Sequence, residues 1–167
     1  ALPGLVNAHT HAAMTLLRSY ADDLPLMQWL ETRIWPLEAK LTPEDVYWGT
    51  KLSILEMLKA GVTTFADMYF FMDQVAQAVQ ESGMRASLSR GIVGGDRGLQ
   101  ALEESEALAE KWHGFEDGRI TVMLGPHAPY TCPPDFLRTV IGKAKELELG
   151  IHIHLAETAD EVETIKS

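Results

Sequence analysis

The sequence predicts an α/β fold of successive βα units, laid out as the first part of a TIM-type (β/α) barrel. Three observations carry this expectation. Short β-branched runs alternate with longer helical patterns, the pattern of parallel strands joined by helical crossovers. Glycines stand where helices should stop, at Gly61 and Gly83, positions that suit left-handed backbone, and Gly150 resets the chain before the last strand. No linker, low-complexity tract or other repeat interrupts the βα period, so 167 residues are read as one domain.

Strand one is expected over Gly4–His9. A long insertion follows from Thr10 to about Lys40, with a helix around Leu26–Ile34. Thr42-Pro43-Glu44-Asp45 opens the clearest helix. Thr42 is the N-cap, Pro43 sits in the first turn, and the acids complement the positive end of the helix dipole. That helix runs through Leu52, Leu55 and Leu58 to Gly61. Val62–Asp67 is strand two, Asp73–Glu81 a helix, and Arg85–Arg90 strand three. A glycine-rich loop, Gly91–Gly98, leads to a helix from about Leu99 to Trp112. Arg119–Leu124 is strand four, Pro134–Leu147 a helix, Ile151–Leu155 strand five, and a last helix starts at Thr158.

Five strands fall short of a closed eight-stranded barrel, which takes roughly 200 to 250 residues or more. The expectation is therefore an incomplete barrel, about strands one to five of eight, occupying residues 1–167. The first residue is not Met, and the opening Leu2–Ala8 reads as the middle of something. An open doubly wound sheet is the alternative at this length. No Gly-x-Gly-x-x-Gly follows strand one, which counts against its dinucleotide-binding version.

The composition, 46% apolar and 23% charged, is that of an ordinary globular domain. A formal net charge of −10 repels phosphate backbones, so neither nucleic acid nor an anionic membrane is expected as a partner. No apolar run approaches the roughly 18 to 20 residues that span a bilayer, and the N-terminus lacks a signal-peptide pattern. The single Cys132 excludes an internal disulfide and fits a reducing cytoplasm. With no base near it in sequence, it reads as a passive thiol.

The chemistry is concentrated in histidines. His9 and His11 are two apart at the end of strand one, so a strand would point both toward one side. Imidazole is the commonest zinc ligand and also suits iron or nickel. His154 lies at the exit of an otherwise apolar strand five, on the rim where barrels place active sites. His152, one pleat earlier, is expected to lie within the barrel layers or to hydrogen-bond locally. Glu157 follows three residues after His154, where a carboxylate could move protons or, alternatively, favour a helix N-terminus. His127, in Gly125-Pro126-His127-Ala128-Pro129-Tyr130, is fixed between two prolines at the exit of strand four. Five of the six histidines fall at or near strand exits, and only His113 does not. That grouping points to a metal-dependent site more than any single motif does.

Four segments together carry a resemblance: Pro3-Gly4-Leu5-Val6-Asn7-Ala8-His9-Thr10-His11, Ala60-Gly61-Val62-Thr63-Thr64, Gly125-Pro126-His127-Ala128-Pro129-Tyr130 and His152-Ile153-His154-Leu155-Ala156-Glu157-Thr158. In this order they resemble the amidohydrolase superfamily. Within it they look like the branch of 5-methylthioadenosine/S-adenosylhomocysteine deaminases and triazine chlorohydrolases. The resemblance implies a hydrolase acting on C–N bonds, with His9, His11 and His154 holding one divalent metal ion. Zinc is preferred, with iron, nickel or manganese as alternatives. It implies that Glu157 moves protons to and from the ring, that His127 contacts substrate, and that Glu38 binds ribose hydroxyls. Arg90 matches an arginine on the substrate's tail, against the alternative of a surface cation. The substrate implied is a small adenosine-type thioether nucleoside. Guanine, cytosine or triazines are the alternatives, and so is an inactive piece that folds by associating with itself. A strand-six histidine, a strand-eight aspartate, the C-terminal half of the barrel and a flanking β-sandwich belong to the same resemblance, and none of them falls within these 167 residues.

Overall fold

The computed structural model describes residues 1–166. Strand β1 (Leu5–Thr10) is followed by a 3-10 turn, Ala12–Leu17, and by the insertion. The insertion holds one interrupted helical rod. Helix α1 (Leu26–Trp29) passes through a π-helical stretch, Leu30–Ile34, into α2 (Trp35–Glu38). The sequence reading ended this helix at Ile34, but the rod continues to Glu38. Pro36 lacks an N–H for the carbonyl four residues back and its ring crowds that carbonyl, which accounts for the widened turn just before it.

The remaining elements follow in the order α3 (Pro43–Lys59), β2 (Val62–Tyr69), α4 (Met72–Ser82), β3 (Arg85–Ile92), α5 (Gly98–Trp112), the short α6 (Phe115–Gly118), β4 (Ile120–Val122), β5 (Gly125–Pro126), α7 (Pro134–Glu146) and α8 (Ala159–Lys166). The predicted cap of α3 forms. Thr42 Oγ1 accepts from the Asp45 N–H at 3.2 Å, and the Asp45 carboxylate accepts from the Thr42 N–H at 2.8 Å, a reciprocal capping box. Gly61 and Gly83 adopt φ of +81° and +76°, as a left-handed helix stop requires.

All strands are parallel and lie in sequential order, β1-β2-β3-β4. A doubly wound sheet reverses its strand order at a switch point, and no reversal occurs among the described residues. The order is that of a (β/α) barrel. β4 and β5 are one strand path, because Leu88 opposite Val122 and Gly91 opposite Gly125 keep one register along β3. The expected fifth strand is present as a path more than as a ladder. Ile151 forms a single parallel bridge to Leu124, the His152 N–H donates to the Leu124 carbonyl, and the His154 N–H donates to that of His127. Three steps from Leu124 to His127 thus oppose two from His152 to His154, a bulge that contains Pro126, which has no N–H to give the ladder.

The main core lies between sheet and helices, around Phe65, Leu88, Ile120 and Val122 from strands and Val75 and Val79 from α4. A second cluster gathers Ile92, Leu124 and Val140. Helix α3 turns Val46, Gly49, Thr50, Ser53, Ile54 and Met57 inward, while Leu52, Leu55 and Leu58 face solvent. The middle of this inward face, Gly49, Thr50 and Ser53, is small, and at Gly49 the backbone after His11 comes close. A Cβ added at Gly49 would stand 2.6 Å from the Ala13 carbonyl oxygen. Gly49→Ala is therefore expected to cost about 1–3 kcal/mol and to weaken metal retention, since the Ala12–Leu17 turn must shift. Urea unfolding together with metal analysis of the purified variant checks both effects.

Candidate metal centre

Strand β1 carries His9, and His11 follows its end. Between Asn7 opposite Phe65 and Thr10 opposite Asp67 the ladder slips, so β1 takes three steps for two on β2. This bulge, rather than plain alternation, aims the two imidazoles. Their ring centroids lie 5.5 Å apart, and His154 stands 4.9 Å from His9 and 5.2 Å from His11. One ligand nitrogen from each of the three lies within 4.8 Å of the others.

Strand β2 fixes the His11 segment through its last turns of backbone. The fully buried Asp67 accepts two hydrogen bonds at 2.6 Å on Oδ1, from the Thr10 hydroxyl and from the Ala12 N–H. Thr10 also reaches the Ala66 carbonyl at 2.7 Å. Burial pushes the Asp67 carboxyl up, and these two donors pull it back. Its other oxygen is buried with no partner among the described residues. His11 Nδ1 lies 2.6 Å from the Met68 carbonyl. A carbonyl can only accept, so Nδ1 carries the proton and Nε2 keeps its lone pair for a metal ion.

His154 is the buried member of the group. Burial first, then the imidazoles of His11, His127, His9 and His152, push it down to about 4. It is therefore neutral, the form that binds metal, throughout the physiological range. His127 is 5.2 Å from His154 between ring centroids. Its Nδ1 lies 2.9 Å from the Thr131 hydroxyl, which itself donates to the Ala128 carbonyl at 3.1 Å. The hydroxyl proton is thus used, His127 Nδ1–H must donate, and Nε2 is left to accept. Burial holds His127 below its ordinary value, against the pull of Glu157. His152 does not hydrogen-bond locally but across to β3, with Nδ1 3.0 Å from the hydroxyl of the buried Ser89. His113 sits apart from the cluster at the end of α5, where Nδ1 accepts from the Val122 N–H at 3.1 Å.

Glu157 lies before α8, not in its first turn. Its carboxylate accepts from the Tyr130 hydroxyl at 3.0 Å. The loop around it is clamped by Glu161, a buried acid that accepts from the Ala156 N–H at 3.1 Å and the Glu157 N–H at 2.7 Å. That clamp holds Ala156 at a φ of +57°, a left-handed conformation that costs a non-glycine residue free energy. Glu38 ends α2 and is half-buried, and its Oε1 accepts from the Tyr69 hydroxyl at 2.7 Å. Burial pushes its carboxyl up, while Tyr69 and the nearby His11 pull it back.

Arg90 makes an ion pair with Glu104 at 2.8 Å and donates to the Gly91 carbonyl. It lines a cavity of about 370 Å³ with Phe71, Met72, Asp73 and Lys111, and no histidine faces that cavity. Cys132 is fully buried, with its thiol 3.1 Å from the Ile92 carbonyl. Sequence reasoning missed the supporting set of Asp67, Met68, Tyr69, Thr131 and Glu161. Met68 acts through its main chain and leaves no residue signature. Asp67 and Tyr69 could have been found as polar residues in an otherwise apolar strand, whereas Glu161 sits among other acids and gives no such signal.

Fold and site together describe a parallel βα scaffold with a three-histidine cluster, suited to hold a metal ion, at its strand exits. The amidohydrolase family profile matches residues 1–167, and the chain belongs to that family. It is 66% identical over 165 residues to a 5-methylthioadenosine/S-adenosylhomocysteine deaminase of Syntrophomonas wolfei, covering 98% of this chain and 38% of that protein. The chain thus spans about two-fifths of the length of such relatives. A zinc-bound adenosine deaminase from Xanthomonas campestris superposes with a TM-score of 0.88 at 40% identity, over 97% of this chain and 38% of that one. A zinc complex of an atrazine chlorohydrolase from Arthrobacter aurescens shares the fold, with a TM-score of 0.84 at 21% identity over 98% and 43% of the two chains. Among the described residues no helix is long and apolar enough to cross a membrane.

The depressed His154 has a stability consequence. Its folded value, about 4, lies below the ordinary 6.5 of an unfolded imidazole. The unfolded chain therefore takes up the proton first, and stability falls as pH drops from about 6.5 to about 4. Urea midpoints of metal-free protein across this window should decline, and less steeply in His154→Gln.

Proposed function

We propose that the complete gene product is a metal-dependent aminohydrolase that deaminates adenosine-type thioether nucleosides, 5-methylthioadenosine or S-adenosylhomocysteine. The observation that carries this is the convergence of His9, His11 and His154 from segments more than a hundred residues apart, beside an acid, Glu157, on the next loop. High identity to a deaminase of that name supports the substrate class. In this reading residues 1–167 are a partial catalytic barrel domain. A strand-six histidine, a strand-eight aspartate, the rest of the barrel and the β-sandwich are supplied from beyond them.

His9, His11 and His154 would hold the ion. Zinc is preferred, because three imidazoles suit it and the Xanthomonas relative binds it. When bound, a divalent ion lowers the pKa of water and so provides a nucleophile near neutral pH. The chain's own residues do the rest. Glu157 carries one proton of the attacking water to the ring nitrogen next to the carbon under attack. The second water proton, from the hydroxyl now on that carbon, passes to the amine, which leaves as ammonia as the C–N bond breaks and the carbonyl forms. Tyr130 holds one Glu157 oxygen and leaves the other for this transfer. His127, with Nδ1–H bound to Thr131, presents Nε2 to the substrate. Glu38 accepts from ribose hydroxyls, and Arg90 contacts the thioether tail once it exchanges Glu104 for substrate. The hydrogen-bonded, half-buried Glu38 supports a ribose-bearing substrate over guanine, cytosine or a triazine. A cytoplasmic location fits the lone buried thiol.

Zinc-loaded complete protein should release ammonia from 5-methylthioadenosine. Glu157→Gln should lower kcat by about 10²–10⁴-fold with metal content unchanged. A metal-loaded preparation that releases no ammonia from either thioether would remove the proposal.

A further inference from the structure

We propose that Tyr69 is a positioning residue for substrate selection: its hydroxyl aims the Glu38 carboxylate at the sugar, and so sets the preference for hydroxyl-bearing nucleosides. This rests on the assignment of Glu38 to the ribose.

Glu38 stands at the end of a four-residue helix that leaves a π-helical stretch. A glutamate there has three side-chain torsions and no helical neighbour beyond it to restrict them. Tyr69 has the opposite character. It is the last residue of β2, pairs with Arg90 of β3, and is only 6% exposed. Its ring stacks on Phe70 at 4.1 Å and lies 6.4 Å from His11. A rigid donor therefore meets a flexible acceptor. The 2.7 Å bond to Oε1 selects one Glu38 rotamer. Among the described residues Oε2 has no hydrogen-bond partner, so it is left to accept from a sugar.

The placement also sets a length. Asp67 holds the Thr10 and Ala12 positions, the Met68 carbonyl holds the His11 ring, and Tyr69 holds Glu38. Three consecutive residues of one strand end fix the spacing between the metal ligands and the acid. Removal of the Tyr69 hydroxyl frees only the far end of that ruler, because Phe keeps the ring in its packing and leaves Asp67 and Met68 in place.

The test uses the zinc-loaded complete gene product and the ratio of kcat/KM for 5-methylthioadenosine to that for its analogue lacking both ribose hydroxyls. Tyr69→Phe should lower this ratio by about tenfold, mainly through KM of the nucleoside. Metal content and the rate on the analogue should not change. Glu38→Ala should collapse the ratio too, and adding Tyr69→Phe to it should change the ratio no further. A ratio unchanged in Tyr69→Phe but lost in Glu38→Ala overturns the inference and leaves the Glu38 assignment standing. A ratio that survives Glu38→Ala removes the assignment and the inference together. Loss of metal, or an equal fall on both substrates in Tyr69→Phe, makes the residue merely structural and also overturns it.

Discussion

Asp67 bonds one of its oxygens to Thr10 and to the Ala12 N–H at 2.6 Å each, while the whole side chain is shut away from water. Burying a carboxyl is expensive unless donors meet it, and here burial outweighs both donors in its effect on the group. Such a residue has few other conformations to visit. It therefore nails the exit of β1 to the exit of β2 on both sides of His11. Without it, the bulge that aims His9 and His11 would be a loose end. Gly49 supports the same segment from behind by letting helix α3 approach the Ala13 backbone.

The second constraint is electrostatic. Five imidazoles crowd one region, and mutual repulsion together with burial favours their neutral forms where a shift is resolved, at His127, His152 and His154. Neutral imidazoles are what a cation needs. The acids stand at the margin of the group, each with a tyrosine: Glu157 with Tyr130 and Glu38 with Tyr69. A tyrosine donates one hydrogen bond without adding a charge. It can therefore orient a carboxylate without quenching it, as a lysine or arginine would. Arg90 shows the contrast, since its guanidinium is already committed to Glu104.

Much of this was legible in the residues. The βα period, the Thr42 cap and the stops at Gly61 and Gly83 are local signals, and each appears where local chemistry put it, whereas after α7 the left-handed residue is Glu148, at φ +55°, not Gly150. His9, His11 and His154 could be grouped because parallel βα topology sends every strand exit to one rim. What the residues did not reveal was register. Alternation on β1 put both imidazoles on one side, but it is a bulge between Asn7 and Thr10 that delivers them there, with ring planes 88° apart. Strand five looked like its apolar predecessors, yet Pro126 across from it leaves the ladder broken. The insertion helix ran past Ile34 because a π-helical turn absorbs Pro36, a tertiary solution that propensity does not disclose. Leu52, Leu55 and Leu58 gave α3 its helical pattern, but close packing at Gly49 selected the opposite face for the interior.

The acceptor for His11 is a main-chain oxygen. Exchange of the side chain at position 68 leaves that oxygen where it is, as long as β2 keeps its pairing with β3. The orientation of this imidazole is thus inherited from the sheet itself and is sheltered from drift at the residue that supplies it. Sequence variation could remodel the walls around the three histidines while one ring stays anchored by backbone alone.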